Sequence, residues 1–134
     1  GSAIKVRTDL NGKKVGVQQG TTGDIFCTNE DGSNDIKIGS TERYSKGVDA
    51  VTDLMNGKID AVVIDDFPAQ KFVQKNADKL VKLSEALTVE KYAIAVKKGD
   101  ADMLKVVNEV LGEIKSNGDL DKLITKYKSA LENQ

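Results

Sequence analysis

A polar loop with two glycines and two threonines is the first segment whose residues could bind a ligand. It reads Gln19-Gly20-Thr21-Thr22-Gly23-Asp24 and lies between a predicted strand and a predicted helix. The glycines allow close backbone approach, while the threonine hydroxyls and the first helical amides point outward together. Such a helix start binds anions, including carboxylates. Alternatively, Thr21 or Thr22 only caps its own helix, and the motif alone does not separate the two interpretations.

Two adjacent carboxylates, Asp65 and Asp66, follow the third predicted strand. Ligands of open α/β sheets bind at the carboxyl ends of the strands, where a carboxylate can hold an ammonium group. Asp66 is placed to cap the next helix, so Asp65 is the better ligand candidate. A metal ion would need more oxygen ligands than this segment offers. The Gly-Thr-Thr loop and Asp65 together predict a receptor for a zwitterion, with its carboxylate on one side and its ammonium on the other.

The composition restricts the remaining chemistry. The chain has 134 residues, no histidine, one cysteine, and 20 Lys and Arg against 21 Asp and Glu, for a net charge of −1. The absence of histidine excludes histidine-dependent triads and most zinc sites. A near-neutral charge removes the main support for nucleic-acid binding, and apolar runs such as Ala61–Ile64 are far shorter than a membrane span. The sequence therefore predicts no catalytic residue, no cofactor and no metal.

The elements that would position these residues alternate along the chain. The apolar patterns predict strands at 14–17, 35–38 and 59–64, with further strand candidates at 80–81 and 92–96. Helical patterns follow the first three strands, in the order β-α-β-α-β-α. One begins at Ile25-Phe26, one contains Tyr44, Val48, Val51 and Met55, and one begins at Asp66. This order predicts an α/β fold, a three-layer doubly wound parallel sheet with helices on both faces.

Two longer helices are predicted near the end of the chain. Asp100 caps the first, and Asn117-Gly118 ends it. Its apolar residues form one stripe on one face, here called the apolar stripe: Leu104, Val107, Val110, Leu111 and Ile114. Asp119 begins the second helix, which runs past Tyr127.

Three segments make the chain recognisable. They are LNGKKVGVQQGTTGD at 10–24, LMNGKIDAVVID at 54–65 and YAIAVKKGD at 92–100. Over about residues 9 to 128 the chain resembles the bacterial polar amino-acid solute-binding proteins of ABC importers, which have the type II periplasmic-binding-protein fold. The resemblance implies that the loop residues Gly20, Thr21 and Thr22 bind the ligand carboxylate, with Thr22 the better candidate of the two threonines. It also implies that Asp65 binds the α-ammonium. Gly23 stands where some relatives have a glutamine that touches the ligand.

The resemblance also predicts a domain organisation. Members of the family have two lobes that close on the ligand and are about twice as long as this chain. We expect residues 1–8 to be a tag remnant and hinge segment, 9–88 the ligand-binding second lobe, and 89–134 the return strand and helices that pack on lobe one. The first part of lobe one, which supplies an arginine clamp and aromatic walls, is not in the sequence. The apolar stripe must then be covered by folding back or by exchange between two chains in a symmetric dimer, and we favour the dimer.

The function implied by the resemblance is extracytoplasmic binding of a polar amino acid and its delivery to the transmembrane subunits of an ABC importer. The protein would be periplasmic or lipid-anchored at the cell surface, and hinge closure would need no catalysis. Two alternatives share the fold: an enzyme such as a prephenate or cyclohexadienyl dehydratase, and the effector-binding domain of a regulator. The lack of histidine disfavours the enzyme, and the lack of a helix-turn-helix disfavours the regulator.

Overall fold

A three-stranded parallel sheet is the centre of the first of the chain's two units, Gly1–Thr88 and Val89–Gln134. The structure is a computed structural model that describes residues 3–30, 32 and 34–132. After a short 3-10 helix, Arg7–Leu10, the first unit contains β1 (Lys14–Gln18), α1 (Thr22–Thr28), β2 (Ser40–Tyr44), α2 (Gly47–Met55), β3 (Ala61–Val63) and α3 (Asp66–Lys75).

The strand order is β2-β1-β3, and both pairings are parallel. Val15 lies opposite Thr41 on one side and opposite Ala61 on the other. Each strand is followed directly by a helix. Because all three strands run in the same direction, α1, α2 and α3 all begin at the carboxyl edge of the sheet.

The two faces of β1 are covered by different helices. Val15 and Val17 are fully buried in one cluster with Phe26 and Cys27 of α1. Gly16 faces the opposite side, because successive residues of a strand point to opposite faces. A Cβ atom on Gly16 would lie 3.4 Å from Cβ of Ala50 in α2 and only 2.6 Å from Ile59 Cδ1. The prediction of a doubly wound α/β sheet with helices on both faces is therefore confirmed.

The second unit contains two helices that contact each other, α4 (Ala101–Ser116) and α5 (Asp119–Glu132). The predicted cap is present, since Asp100 Oδ1 accepts a hydrogen bond from the Met103 amide at 3.0 Å. Asn117 ends α4 as predicted. No residue of α4 is buried, and Leu104 and Val110 of the apolar stripe are 47% and 49% exposed. The other three stripe residues, Val107, Leu111 and Ile114, are half-buried, so the stripe is only partly covered.

The second predicted strand, at 35–38, is wrong. Ile36 is buried in the core cluster and Ile38 packs against it, so both isoleucines fill the core from an irregular segment. The backbone amides of residues 36–38 have other partners and are not available for a ladder, and the Ile38 amide donates to the Ile36 carbonyl at 3.2 Å. The Ile36 amide donates to Asn34 Oδ1 at 2.7 Å, and the Lys37 amide donates to Asn11 Oδ1 at 2.8 Å. The strand that pairs with β1 is instead the polar segment Ser40–Tyr44.

Three smaller predictions also need correction. Tyr44 ends β2 and is not part of α2. The third strand is limited to Ala61–Val63. Residues 80–81 and 92–96 are not strands in the part of the chain that the structure describes. Tyr92 is 86% exposed and Ile94 58% exposed, which is the expected state of a segment without a neighbouring strand to take its backbone hydrogen bonds.

Candidate functional site

The loops that follow β1 and β3 leave the sheet at the same edge. Val17 near the end of β1 lies opposite Val63, the last residue of β3. The first turn of α1 lies against this point, because a Cβ atom on Gly23 would be 3.2 Å from Val63 Cγ1 and 3.3 Å from the Val63 carbonyl oxygen. Asp65 follows Val63 by two residues. The fold therefore brings the Gly20–Thr22 loop and Asp65 to one edge of the sheet.

The two threonines of the loop have different positions. Thr21 is the N-cap of α1: its hydroxyl accepts a hydrogen bond from the Asp24 amide at 3.3 Å and donates one to the Gln18 carbonyl at 2.8 Å. Thr22 is the first helical residue and is exposed. The capping interpretation therefore holds for Thr21, whereas Thr22 presents its side chain at the surface of the edge.

Asp24 shapes this loop, and its role was not predicted from the sequence. It is buried, and its Oδ2 accepts a hydrogen bond from the Gly20 amide at 2.9 Å. Arg43 of β2 donates from Nε to both carboxylate oxygens, at 2.8 and 3.0 Å. Burial acts to raise the pKa of Asp24, but the bonds from Gly20 and Arg43 hold it below the ordinary value of 3.8. The spacing Thr21-x-x-Asp24 is a capping-box pattern, and it was the available sequence signal.

The two neighbouring aspartates, Asp65 and Asp66, differ in the hydrogen bonds and ion pairs that they form. Asp65 is the N-cap residue of α3, but its side chain is exposed and makes no capping hydrogen bond. Asp66 is the first residue of the helix, so the prediction that it caps α3 is wrong. Its carboxylate forms an ion pair with Lys82 and accepts a hydrogen bond from Gln70 Nε2 at 2.6 Å. Asp66 is thus neutralised within the unit, and Asp65 is the carboxylate presented at the edge.

The start of α2 forms a further side of this edge. A Cβ atom on Gly47, the first residue of α2, would lie 2.6 Å from Ile64 Cδ1 and 3.7 Å from Gln18 Oε1. The segments that follow all three strands are therefore close to one another. Between them they offer hydroxyl and amide donors and exposed carboxylates, among them that of Asp65.

Other kinds of site find little support in this chain. Within the described ranges, no group of three or more His, Cys, Asp or Glu side chains could hold a metal ion. None of the described helices is long and apolar enough to cross a membrane. Cys27 is buried in the core cluster, and desolvation raises the pKa of its thiol to about 12, with a further contribution from the charge of Asp24.

Comparisons with known proteins find relatives that are named as binding proteins. No protein-family model matches the chain. It is 33% identical over 124 residues to the L-cystine-binding protein TcyJ of Escherichia coli (strain K12), which covers 92% of this chain and 45% of that protein. Among solved structures, a mutant of ArgBP from T. maritima has a TM-score of 0.69 and 46% identity, covering 94% of this chain and 52% of that one.

A second similar structure is described as the substrate binding protein of an amino acid ABC transporter. Its TM-score is 0.65 at 35% identity, with 93% of this chain and 54% of that chain covered. This chain spans about half the length of the curated relatives it matches.

Proposed function

We propose that this chain, which belongs to the amino-acid-binding proteins of bacterial ABC transporters with the type II periplasmic-binding-protein fold, supplies one half of a binding cleft for a free polar amino acid. One observation carries the proposal: the Gly20–Thr22 loop and Asp65 lie at the same edge of the parallel sheet, where the first turn of α1 lies against the end of β3. Ligands of open α/β sheets bind at this edge.

Each half of the zwitterion has a candidate partner in the proposed cleft. The exposed Thr22 hydroxyl donates to the α-carboxylate, while Gly20 and Thr21 shape the loop around it. Asp65 accepts the α-ammonium, because it is exposed and its side chain does not cap α3. Charge-assisted hydrogen bonds of this kind are about twice as strong as neutral ones.

Binding by the whole protein needs more than this chain provides. Since the chain spans about half of its relatives, we propose that a second lobe closes over the ligand by hinge motion. The protein then acts outside the cytoplasm, in the periplasm or lipid-anchored at the surface, and delivers its ligand to the transmembrane subunits of an ABC importer. It binds without catalysis, which agrees with the binding-protein names of its relatives and with the absence of histidine.

The proposal is tested by NMR titration of the ¹⁵N-labelled chain with L-arginine, because this method detects weak binding by half of a cleft. We expect saturable amide shifts at residues 20–22 and 65–66. L-arginine methyl ester lacks the carboxylate and N-acetyl-L-arginine lacks the ammonium, so both should give weaker shifts. L-cystine serves as a second probe. Equal shifts from all the derivatives, or shifts confined to other parts of the chain, would contradict the zwitterion site.

A further inference from the structure

A buried charge stands directly behind the proposed carboxylate loop. Among the described residues, Asp24 is the only buried polar or charged residue, with 4% of its surface exposed. A carboxylate in such a place is stable only when its oxygens are paired. The hydrogen-bond partners of the Asp24 carboxylate therefore show which parts of the structure it holds in position.

The Asp24 carboxylate joins the loop to β2. Oδ2 accepts from the Gly20 amide at 2.9 Å and, like Oδ1, from Arg43 Nε. The Asp24 amide is held by the Thr21 hydroxyl at 3.3 Å. The outer end of Arg43 also pairs with Glu30, at 2.5 Å. The buried Asp24 side chain thus holds the Gly20 peptide on one side of the loop, while the Thr21 hydroxyl holds the Asp24 amide on the other.

Besides Asp24, the loop is held by Thr21, whose hydroxyl and amide donate to the Gln18 carbonyl at 2.8 and 3.4 Å. Gly20 is exposed, and its φ of +76° lies in the left-handed region. Thr22 is exposed as well. By contrast, Phe26 and Cys27 anchor α1 to the core independently of Asp24. The bonds of Asp24 therefore matter more for the shape of the loop than for the attachment of the helix.

We propose that Asp24 and Arg43 are positioning residues for ligand binding, an inference that rests on the proposed function. They act through Gly20 and do not touch the amino acid. The ion pair sets the direction of the Gly20 peptide, and this peptide in turn sets where the Thr22 hydroxyl meets the ligand carboxylate. The Asp24→Asn variant keeps the shape of the side chain but has one acceptor oxygen. Its NH₂ group then takes the place of one carboxylate oxygen and faces either the Gly20 N–H or the Arg43 Nε–H, both of which are donors. At least one of the three hydrogen bonds to the carboxylate is therefore lost, together with the charge of the ion pair.

The experiment compares three single variants of the chain. Asp24→Asn breaks the network at its centre. Arg43→Gln removes the ion pair from its half-exposed side and serves as the second variant if Asp24→Asn does not fold. Glu30→Gln is the matched control, because it removes the other carboxylate partner of Arg43 and leaves the Gly20 bond in place. For each, we measure the urea midpoint, the amide exchange rate of Gly20, and the dissociation constant for L-arginine by NMR titration.

In Asp24→Asn we expect faster exchange at Gly20 and a dissociation constant raised about tenfold or more, since hydrogen bonds to charged groups are the stronger ones. Arg43→Gln should show a smaller change in the same direction, and Glu30→Gln should bind like the unaltered chain. Unaltered binding by a folded Asp24→Asn, or by Arg43→Gln where Asp24→Asn does not fold, overturns the inference. Equal weakening by Glu30→Gln also overturns it. If the unaltered chain does not bind any of the amino acids, the proposed function fails first, and the inference fails with it.

Discussion

The charge of Asp65 is the most direct test of the proposed site. Asp65→Asn preserves the shape of the side chain and removes its negative charge. If the carboxylate accepts the ligand ammonium, the variant loses a charge-assisted hydrogen bond of about 1.5–3 kcal/mol. That loss raises the dissociation constant for L-arginine about tenfold to more than a hundredfold.

The folded state should hardly change in the same variant. Asp65 is exposed and makes no capping hydrogen bond. The stability lost is then limited to its interaction with the start of α3, about 0.3–1 kcal/mol for a charge at a helix terminus.

The neighbouring residue gives the opposite expectation. Asp66→Asn breaks the ion pair with Lys82 and weakens the hydrogen bond from Gln70. The Asp66 side chain is 67% exposed and the Lys82 side chain 33%. An ion pair this exposed contributes at most about 1 kcal/mol. Binding should not change, because the Asp66 carboxylate already has its partners within the unit. Asp78→Asn, in an exposed turn beyond the other end of α3, is the charge-matched control.

The assay combines an NMR titration with L-arginine and urea unfolding followed by circular dichroism, on all three variants. We expect weakened binding only in Asp65→Asn, and a shifted urea midpoint chiefly in Asp66→Asn. If Asp66→Asn weakens binding while Asp65→Asn does not, the ammonium partner has been assigned to the wrong residue. If neither does, the ammonium is not held at this edge.

Three further predictions concern the stability and association of the chain. Because the pKa of Asp24 is lower in the folded state than its ordinary value of 3.8, its contribution to stability is complete above that value and is lost as the pH falls through the folded pKa. The stability difference between the unaltered chain and Asp24→Asn should therefore shrink in urea titrations between about pH 6 and pH 2. Gly39→Ala should destabilise by about 1–3 kcal/mol or more, since its Cβ would lie 2.4 Å from the Gly12 carbonyl oxygen. Gly112→Ala, in open space within α4, should instead stabilise the chain by about 0.5–1 kcal/mol. For either variant, a urea midpoint equal to that of the unaltered chain would contradict the prediction. Finally, the partly exposed apolar stripe of α4 predicts a symmetric dimer in which two chains exchange their last helices. Light scattering over a dilution series checks it, and a monomer at every concentration with α4 protected from hydrogen exchange would show that the helix folds back.

Local chemistry made several elements predictable from the sequence. The cap at Asp100 and the stop at Asn117 depend only on residues within one helical turn of each end. The strand at 14–17 is predictable from its apolar alternation, and in the structure Val15 and Val17 are both fully buried. In these places the short-range pattern and the tertiary packing require the same structure.

Elements that depend on distant partners were missed. β2 is an edge strand with the sequence Ser-Thr-Glu-Arg-Tyr, and it has no apolar alternation because it is only partly buried. The preceding segment, with Ile36 and Ile38, has the better strand pattern, but side chains of asparagine take its amides. Asp24 and Arg43 are 19 residues apart, so no local pattern could pair them.

The two aspartates after β3 show how tertiary contacts decide between identical side chains. The sequence favoured Asp65 as the ligand residue on the premise that Asp66 would cap the helix. In the structure Asp66 does not cap. Its carboxylate is paired with the ammonium group of Lys82, which lies 16 residues further along the chain. Asp65 takes the cap position without using its side chain there. Asp65 therefore remains the candidate for a reason that only the fold supplies. Its neighbour Asp66 already has a cation, and the Asp65 carboxylate is presented at the same edge of the sheet as the Gly20–Thr22 loop.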